Sequence, residues 1–362
     1  MTLEPRCVDT GTIGQRAESF TQRLRRVIGV HFDPVWGTRF WLDRAAALGI
    51  DGLRHLHAPD DLALLGEMTP RDLQARPLLD YVPRKFHARL DQLIVAQTGG
   101  TTAGGGKWTA YRDEEFVEAF VLPFVVAAGQ HQFPPGRQWL FIGPSGPHVI
   151  GKVVRHLATA FGSADPFAVD FDPRWAKKLP DDSFARQRYL GHVVEQAMAV
   201  IETQDVGVLF TTPPCLAALA SLMTPAQRER IAAVHYGGLP VSRAQMKHFQ
   251  ANVFPRALHV SGYGNTLFGC CMELSATADR EIDYFPFGQR LLFEVDDPAG
   301  AAEGEVRFTR LDETFLIVRM RERDVASLID PPAGAPPEFV LPGLRNPHPP
   351  ATLAGKIAMG LY

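Results

Sequence analysis

Short apolar runs alternate with helical stretches through the middle of this chain, and this alternation limits the possible folds more than any other feature. The apolar runs, which lead into clusters of glycine, proline or threonine, are Leu93–Val95, Trp139–Ile142 and Val206–Phe210. The helical stretches are Glu114–Ala128, Val149–Phe161 and Tyr189–Glu202. Strands that alternate with helices form α/β sheets whose strands are largely parallel. The sequence therefore predicts an α/β core over residues 91–270. Such sheets bind ligands at the ends of their strands, so we expect the ligand-binding residues in this core.

The first 90 residues predict a helical segment packed on this core. Apolar residues between Phe40 and Leu48 recur at helical spacing, and Gly49 is a typical residue at a helix end. The pair Thr69-Pro70 predicts the start of another helix, with threonine as the N-cap and proline in the first helical position.

The last third of the chain predicts a different structure. Alternating apolar and polar residues over Gln289–Val295, Gly304–Thr309 and Thr314–Met320 predict short strands, and hence a small β-rich subdomain over residues 271–330. Proline recurs from Pro331 onward, which predicts an extended tail over residues 331–362.

Composition excludes several classes of protein. The chain has 37 Lys and Arg against 40 Asp and Glu, a net charge of −3, which excludes wholesale charge attraction to nucleic acid or to an anionic membrane. Its four cysteines contain no Cys-x-x-Cys pair, and two of them are adjacent, so a reducing compartment fits best. The first residues lack the apolar region of a signal peptide, and no apolar run approaches the ~20 residues of a membrane span. We expect a cytoplasmic protein with no nucleic-acid or membrane partner.

A glycine-rich loop, Thr98–Lys107, directly follows the first apolar run. It offers many backbone N–H groups, several hydroxyl groups and one cation, which is the chemistry needed to hold a polyphosphate. It is not a Walker loop, because Thr101 and Trp108 stand where that motif requires glycine and Ser or Thr. A flexible surface turn is the alternative interpretation.

Two further glycine turns, Tyr236–Pro240 and Gly262–Thr266, follow apolar stretches. Turns at strand ends are the places where α/β sheets bind ligands. The segment Gly143–Pro147 resembles a nucleophile elbow but has proline in place of the last glycine, which argues against a serine hydrolase.

Other noticeable residues have mainly structural interpretations when each is taken alone. His148 opens a helix, where a single histidine more often has a structural role than a functional one. His55 and His57 lack the spacing of metal ligands. The adjacent Cys270-Cys271 pair favours core packing, and the alternating segment Ile317–Asp324 is typical of a solvated edge strand.

Taken in order, these segments resemble the adenylate-forming superfamily, most closely its phenylacetate–CoA ligase branch. Thr98–Ala103 is similar to the family's T-S-G-T-T-G, Pro147–Gly151 to P-L-F-H-V-x-G, Gly237–Pro240 to G-G-A-P-L, Tyr263–Thr266 to Y-G-x-T, Arg319–Asp324 to R-Y-R-T-R-D, and Asp61–Leu73 to D-L-x-x-L-P-x-x-T-K-x-D-L. The resemblance covers residues 49–324, and among short chains it is greatest to the adenylating proteins of phenazine antibiotic biosynthesis.

The resemblance implies an α/β fold, namely the large N-terminal domain of adenylate-forming enzymes, with mixed sheets flanked by helices and a small β-rich subdomain. It implies adenylation of an aromatic, for example phenazine-type, carboxylic acid by ATP and Mg²⁺, with the acyl group then passed to a separate acyltransferase or carrier protein. The implied catalytic residues are Thr266, which also holds the metal, and His148; the implied ATP contacts are Thr98, Gly99, Gly100, Thr101, Thr102, Gly237, Gly238, Leu239, Tyr263, Gly264, Asn265 and Asp324; and the implied acid contacts are Phe141, His148, Tyr236, Gly262 and Phe268.

Two departures from the family pattern leave alternatives open. Leu267 stands where the family has a glutamate that holds Mg²⁺. The family also continues for roughly a hundred residues, a small domain, after its ribose-binding aspartate. Here only Val325–Tyr362 follow, with Lys356 as the sole lysine, so we expect the C-terminal lid domain to be missing or truncated. An aryl–CoA ligase and a non-catalytic protein that binds nucleotide and aromatic acid are the alternatives.

Overall fold

The computed structural model describes residues 18–99, 105–176, 178–180, 183–274, 281–296 and 303–350. The α-helices are α1 Phe20–His31, α2 Arg39–Leu48, α3 Gly52–His55, α4 Asp113–Phe116, α5 Leu122–Gln130, α6 Val149–Ala160, α7 Pro173–Ala176, α8 Phe184–Thr203, α9 Pro213–Leu222, α10 Pro225–Arg230 and α11 Arg243–His248. The strands are β1 Leu93–Gln97, β2 Trp108–Arg112, β3 Gln138–Gly143, β4 Phe167–Asp170, β5 Val206–Thr211, β6 Ala233–Tyr236, β7 Leu258–Asn265, β8 Gly269–Met272, β9 Asp283–Tyr284, β10 Leu291–Asp296, β11 Gly304–Leu311, β12 Leu316–Ile329 and β13 Gly343–His348.

A six-stranded sheet forms the centre of the fold, with strand order β4-β3-β5-β6-β7-β8. The strands from β4 to β7 pair in parallel, as the sequence predicts, and β8 alone pairs antiparallel, with β7. A parallel sheet is covered on both faces, so its central strands are nearly continuous apolar runs, as in β5, whose residues are all buried. The carboxyl ends of β3, β5, β6 and β7 therefore meet at one edge of the sheet.

Successive residues of these strands belong to two different hydrophobic clusters. Leu140 and Ile142 of β3 pack in one cluster, while Trp139 and Phe141 pack in the other. The second cluster also contains Phe124 of α5 and Leu157 of α6, and the first contains Ala197 of α8 and Leu216 of α9. Because side chains alternate across a strand, helices on both faces bury the sheet.

The N-terminal helices begin and end where local chemistry dictates. Ser19 caps α1 and forms a reciprocal capping box with Gln22. Gly49 ends α2 with φ 68°, a left-handed conformation that favours glycine. The prediction of a helix at Thr69-Pro70 is wrong, because the segment folds into turns in which the Thr69 amide and hydroxyl both donate to the Asp72 carboxylate. The remaining short segments are the 3₁₀ turns Pro59–Leu65, Leu78–Tyr81 and Arg84–Gln92.

A five-stranded antiparallel sheet, with strand order β10-β11-β12-β13-β9, forms the last part of the described chain. The three predicted strands correspond to β10, β11 and β12, but β12 continues to Ile329. Strand β13, which the sequence analysis does not predict, lies within the segment expected to be a tail and pairs with β12 and β9.

The helical region between β2 and β3 runs from Asp113 to Gln130 and contains a π-helical turn, Val117–Val121. Pro123 lacks the N–H that would bond to Ala119 in an α-helix, which explains the local change of hydrogen-bond pattern. A second π turn, Phe249–Val253, follows α11. Within the described residues, no helix is long and apolar enough to cross a membrane.

Candidate functional site

A cavity of about 260 Å³, here called the main cavity, opens at the carboxyl ends of the parallel strands. Residues from the ends of β5, β6 and β7 line it, among them Phe210, His235 and Gly262. A smaller space of about 90 Å³, the side cavity, shares Gly238, Gly262 and the β12 residue Glu322 with it. Parallel α/β sheets bind ligands at this edge, so the two cavities define the candidate site.

The ends of the glycine-rich loop are held together beside the main cavity. The Thr98 amide donates to the Lys107 carbonyl over 2.9 Å, and the Lys107 amide donates to Thr98 Oγ1 over 3.0 Å. A Cβ at Gly106 would lie 2.6 Å from the Thr98 carbonyl oxygen, so this closure needs glycine. Thr98, Gly99 and Lys107 line the main cavity. The predicted ATP contacts Gly100, Thr101 and Thr102 lie outside the described residues.

His148 is the residue immediately before α6, and it lines the main cavity. Helix α6 lies close to the preceding turn, because a Cβ at Gly151 would be 2.7 Å from the Pro144 carbonyl oxygen. That turn is joined to the end of β1, directly before the glycine-rich loop, by a hydrogen bond from the Gln97 amide to the Pro147 carbonyl, over 2.8 Å. The structure thus places the predicted His148 segment beside the predicted phosphate loop.

The two other glycine turns also reach the cavities. Gly237 and Gly238 line the main cavity, and Leu239 lines the side cavity. A Cβ at Gly237 would lie 2.6 Å from Cε2 of Phe210, and one at Gly264 would lie 2.2 Å from the Gly269 carbonyl oxygen. These positions need glycine because neighbouring atoms approach the backbone closely.

The tyrosine and aspartate that the sequence assigns to a nucleotide are in direct contact. The Tyr263 hydroxyl donates to Oδ2 of Asp324 over 3.0 Å. Asp324 is 5% exposed, and its Oδ1 has no hydrogen-bond partner in the described part of the chain; the Arg323 guanidinium lies 3.9 Å from it. Burial raises the pKa of Asp324, while Arg323 and Tyr263 oppose the rise. A buried carboxylate oxygen without a donor is costly, so a ligand with hydroxyl donors would be stabilised here.

Glu322 is a site residue that the sequence analysis does not single out. It lines both cavities and accepts a hydrogen bond from Asn265 Nδ2. Burial and the neighbouring Asp324 raise its pKa. Residues 320, 322 and 324 fall on one face of β12 because strand side chains alternate. This period-2 relationship to Asp324 is the sequence signal that could have identified Glu322.

Thr266, for which the resemblance implies a catalytic and metal-holding role, lines the main cavity, but the described residues around it do not form a resident Mg²⁺ site. No group of three or more His, Cys, Asp or Glu that could hold a metal occurs among the described residues. Leu267 lines the cavity where the resemblance places a glutamate, and Glu322 is engaged by Asn265. Magnesium commonly binds one or two carboxylates together with substrate phosphates.

The predicted acid-binding residues fall into two groups. Tyr236 and Gly262 line the main cavity together with His148. Phe141 and Phe268 are not among the described lining residues. Phe141 packs on Phe210 with 5.3 Å between ring centroids, and Phe268 packs on Phe308 with 5.0 Å. The two phenylalanines therefore support the cavity wall from behind.

The hydroxyl group of Tyr236 is hydrogen-bonded within the protein. It donates to Nδ1 of His259 over 2.6 Å, and Nε2 of His259 contacts the Phe254 carbonyl over 3.1 Å. A carbonyl only accepts, so Nε2 carries the proton and Nδ1 must accept from the phenol. The hydroxyl is thereby engaged inside the protein.

No family model matches the chain, and no curated protein matches its sequence. The chain is similar to a solved structure of 2-hydroxyisobutyryl-CoA ligase in complex with 2-HIB-AMP and CoA in the thioesterification state, with a TM-score of 0.57 and 15% identity over 90% of this chain and 66% of that one. An open conformation of that ligase with the same ligands gives a TM-score of 0.59 and 14% identity over 90% and 68% of the two chains.

This chain therefore spans about two thirds of the length of those ligase structures. At this level of identity the likeness concerns the fold, and one fold hosts many functions. The chain has the fold of the adenylate-forming enzymes, as its sequence motifs predict, while the phenylacetate–CoA ligase branch and the phenazine resemblance stay predictions.

Proposed function

We propose that this protein joins a carboxylic acid to ATP, forming an acyl-adenylate and releasing pyrophosphate. The observation that carries the proposal is the buried carboxylate of Asp324, which contacts Tyr263 and keeps one oxygen without a hydrogen-bond donor. A ribose presents two neighbouring hydroxyl donors, which match that oxygen pair. The fold supports the same reading, because it is the fold of the adenylate-forming enzymes.

The reaction balances without a further reactant. A carboxylate oxygen of the acid attacks the α-phosphorus of ATP, the bond from that phosphorus to the bridging oxygen breaks, and the electron pair leaves with pyrophosphate. Catalysis of this kind depends mostly on positioning and on stabilising charge. The cavity supplies the Thr98 loop end, the Lys107 side chain and the Thr266 turn for the phosphates. Mg²⁺ arriving with ATP would neutralise phosphate charge.

We propose the contacts of the adenine, the ribose and the acid from the positions of the lining residues. We assign the adenine to the turns at Gly238 and Tyr263, the ribose to Asp324, and the acid to the part of the main cavity walled by His148, Tyr236 and Gly262. The rings of Phe120, Phe210 and Phe308 also line that cavity, so we propose a flat aromatic acid.

We further propose that the acyl group passes to a separate acyltransferase or carrier protein, and that the acid belongs to secondary metabolism. These two points rest on the sequence resemblance to phenazine-pathway adenylating proteins.

One observation favours a second candidate, a protein of this fold that binds nucleotide and acid without reacting them. Leu267, which lines the cavity beside Thr266, stands where the resemblance places a carboxylate. A site that does not hold Mg²⁺ in place stabilises the departing pyrophosphate less well.

Acid-dependent exchange of labelled pyrophosphate into ATP separates the two candidates. We expect exchange above background only when ATP, Mg²⁺ and an aromatic acid are all present. An Asp324→Ala variant should lose most of it, and Asp165→Ala, a surface change in an exposed ion pair with Arg155, should retain it. Calorimetric binding of AMP and acid without any exchange would establish the non-catalytic candidate instead.

A further inference from the structure

His235 occupies the wall of the main cavity, and nothing in the sequence motifs assigns it a role. It lies on β6, paired with Phe210 of β5 and with Val260 of β7. Its ring packs between those of Phe210 and Phe124, with centroid distances of 4.2 and 4.6 Å. The side chain is 4% exposed, so the imidazole is held in one orientation by its neighbours.

The hydrogen bonding of His235 fixes its tautomer. Nδ1 lies 3.2 Å from the Val260 carbonyl oxygen. Because a carbonyl can only accept, Nδ1 carries the ring proton and Nε2 is left with a lone pair. Burial lowers the pKa of His235 to about 4, so the ring is neutral at physiological pH. Within the described residues, no hydrogen bond reaches Nε2.

The polar groups next to His235 are already engaged. The Tyr236 hydroxyl donates to His259. The Cys270 thiol contacts the Met272 sulfur and the Cys271 carbonyl, at 3.6 and 3.7 Å. Gly262 leaves the space open, since a Cβ there would lie 3.0 Å from Sγ of Cys270 and 3.5 Å from Cε1 of His235.

We propose that His235 is a specificity-determining residue that selects acids carrying a hydroxyl or N–H donor on the ring, positioned to reach the wall formed by His235, Gly262 and Cys270. In this proposal Nε2 faces the main cavity, which His235 lines, and accepts a hydrogen bond from the ligand. An acid with a donor restores a hydrogen bond to Nε2, whereas an acid without one covers that acceptor and leaves it unpaired, which costs binding free energy. Sites built around a substrate hydroxyl discriminate more sharply than apolar pockets do.

This inference rests on the proposed function only in placing an acid in the main cavity. Its test uses calorimetric binding of acids in the absence of ATP. The probes are benzoic, naphthoic and phenazine carboxylic acids, each with its hydroxy and amino derivatives and with the methoxy derivatives, which keep the oxygen but remove the donor.

The wild type should bind at least one hydroxy or amino acid about tenfold or more tighter than both the parent acid and the methoxy analogue. His235→Phe keeps a flat ring and removes the acceptor, so the preference should disappear, while binding of the parent acid stays the same or improves. His192→Phe, at an exposed position on α8, is the matched control and should behave as wild type. His235→Gln, which restores an acceptor, should regain part of the preference and covers the case in which His235→Phe does not fold.

The inference is overturned if the wild type binds the parent acids as tightly as every derivative, if it binds none of them, or if His235→Phe keeps the preference. Failure of the proposed function looks different: a donor preference that depends on His235, without any pyrophosphate exchange, would leave the inference standing and refute adenylation. Pyrophosphate exchange at equal rates for acids with and without donors would support adenylation and refute the inference about His235.

Discussion

Tyr263 and Asp324, which lie 61 residues apart, are joined by a hydrogen bond of 3.0 Å from the phenol to the carboxylate. Tyr263 lies near the end of β7 in the six-stranded sheet, and Asp324 lies on β12 in the five-stranded sheet. Both line the side cavity. One bond therefore connects the two sheets at the position where we place adenine and ribose, and a nucleotide bound there would contact both sheets at once.

Replacing Asp324 by alanine should weaken the binding of AMP by about 1–3 kcal/mol, or roughly 5- to 150-fold, because the ribose hydroxyls lose a charged acceptor. Isothermal titration calorimetry measures the change. Asp165→Ala serves as the control, since Asp165 is exposed and forms an ion pair with the exposed Arg155. Equal AMP affinity in Asp324→Ala and wild type would refute the assignment of Asp324 to the ribose.

The affinity for the nucleoside should rise with pH across the acid range. Burial raises the pKa of Asp324 above its ordinary value of 3.8. Hydroxyl donors from a ribose favour the ionised carboxylate, so ligand binding lowers that pKa and releases a proton. The binding constant therefore increases as the pH rises through the pKa of the free protein and levels off above it.

Adenosine is the ligand to use for this pH series, because it lacks a phosphate that titrates. Asp324→Asn should flatten the dependence, leaving the part contributed by other titrating groups such as Glu322, whose pKa is also raised. A pH profile that is unchanged in Asp324→Asn would show that another group governs the effect.

The buried ionic cluster of Asp312, Arg290 and Arg310 should contribute strongly to the free energy of unfolding. Asp312 accepts hydrogen bonds from Arg290 Nη2 and Arg310 Nε, both over 2.6 Å, and all three side chains are almost fully buried. Asp312→Ala leaves the guanidinium groups uncompensated and should lower the free energy of unfolding by about 3–5 kcal/mol. Urea denaturation measures this, and Asp165→Ala should change it by less than about 1 kcal/mol.

The same cluster predicts loss of stability in acid. Burial alone would raise the pKa of Asp312, but Arg290 and Arg310 outweigh burial and hold that pKa below its ordinary value of 3.8. A depressed pKa in the folded state contributes stability above pH 3.8, and this contribution is lost as the pH falls toward the folded-state pKa. The stability of Asp312→Asn should therefore fall less steeply than that of wild type below about pH 4.

Local sequence patterns predicted most of the fold. The alternation of apolar runs and helices correctly indicated a largely parallel central sheet, because burial on both faces requires such runs. Strand β13 escaped prediction because Asn346, with φ 49°, and Pro347 interrupt it where its register with β12 shifts. The segment at Thr69 had the composition of a helix start, but Asp72 satisfies the threonine within a turn.

The site also contains residues that the sequence indicated and residues that it did not. The glycine turns and the motifs of Tyr263 and Asp324 occur in a recognisable order along the chain, so the sequence alone assigned them to one site. His235 belongs to no sequence motif, and a single histidine in an apolar strand is typical of a core residue. What distinguishes it is its position in the wall of the main cavity together with the bond from Nδ1 to Val260, which leaves Nε2 as the acceptor. That relationship exists only in the folded chain.

The cavity thiol should react slowly with alkylating reagents. Burial raises the pKa of Cys270 to about 12 and also raises the pKa of Cys271 well above its ordinary value, so little thiolate exists at neutral pH. Cys270 lines the main cavity and Cys271 does not. Mass-spectrometric mapping with iodoacetamide should show slow labelling of Cys270, slower still with a bound acid and unaffected by AMP. Fast labelling, or protection by AMP alone, would contradict this placement of the acid.

Gly262→Ala should separate acid binding from nucleotide binding. The added Cβ would lie 3.0 Å from Sγ of Cys270 and 3.5 Å from Cε1 of His235, so it narrows the acid end of the main cavity and moves a thiol that can shift only slightly. The backbone at Gly262 has no left-handed conformation, so the substitution adds bulk without backbone strain. We expect about a tenfold or greater loss of affinity for fused-ring acids, in the range of overpacking costs of 1–3 kcal/mol.

AMP affinity should stay within about twofold of wild type in this variant, because the atoms nearest the added Cβ belong to Cys270, His235 and Met272, none of which is among the described residues that line the side cavity. The comparison variant is Gly264→Ala, whose Cβ would collide with the Gly269 carbonyl oxygen at 2.2 Å and should therefore disturb the β7–β8 pairing and weaken both ligands together. Calorimetry with AMP and with each acid gives the two affinities independently. If Gly262→Ala weakens AMP and acid equally, the two ligands share one space, and the division of the cavities between nucleotide and acid is wrong.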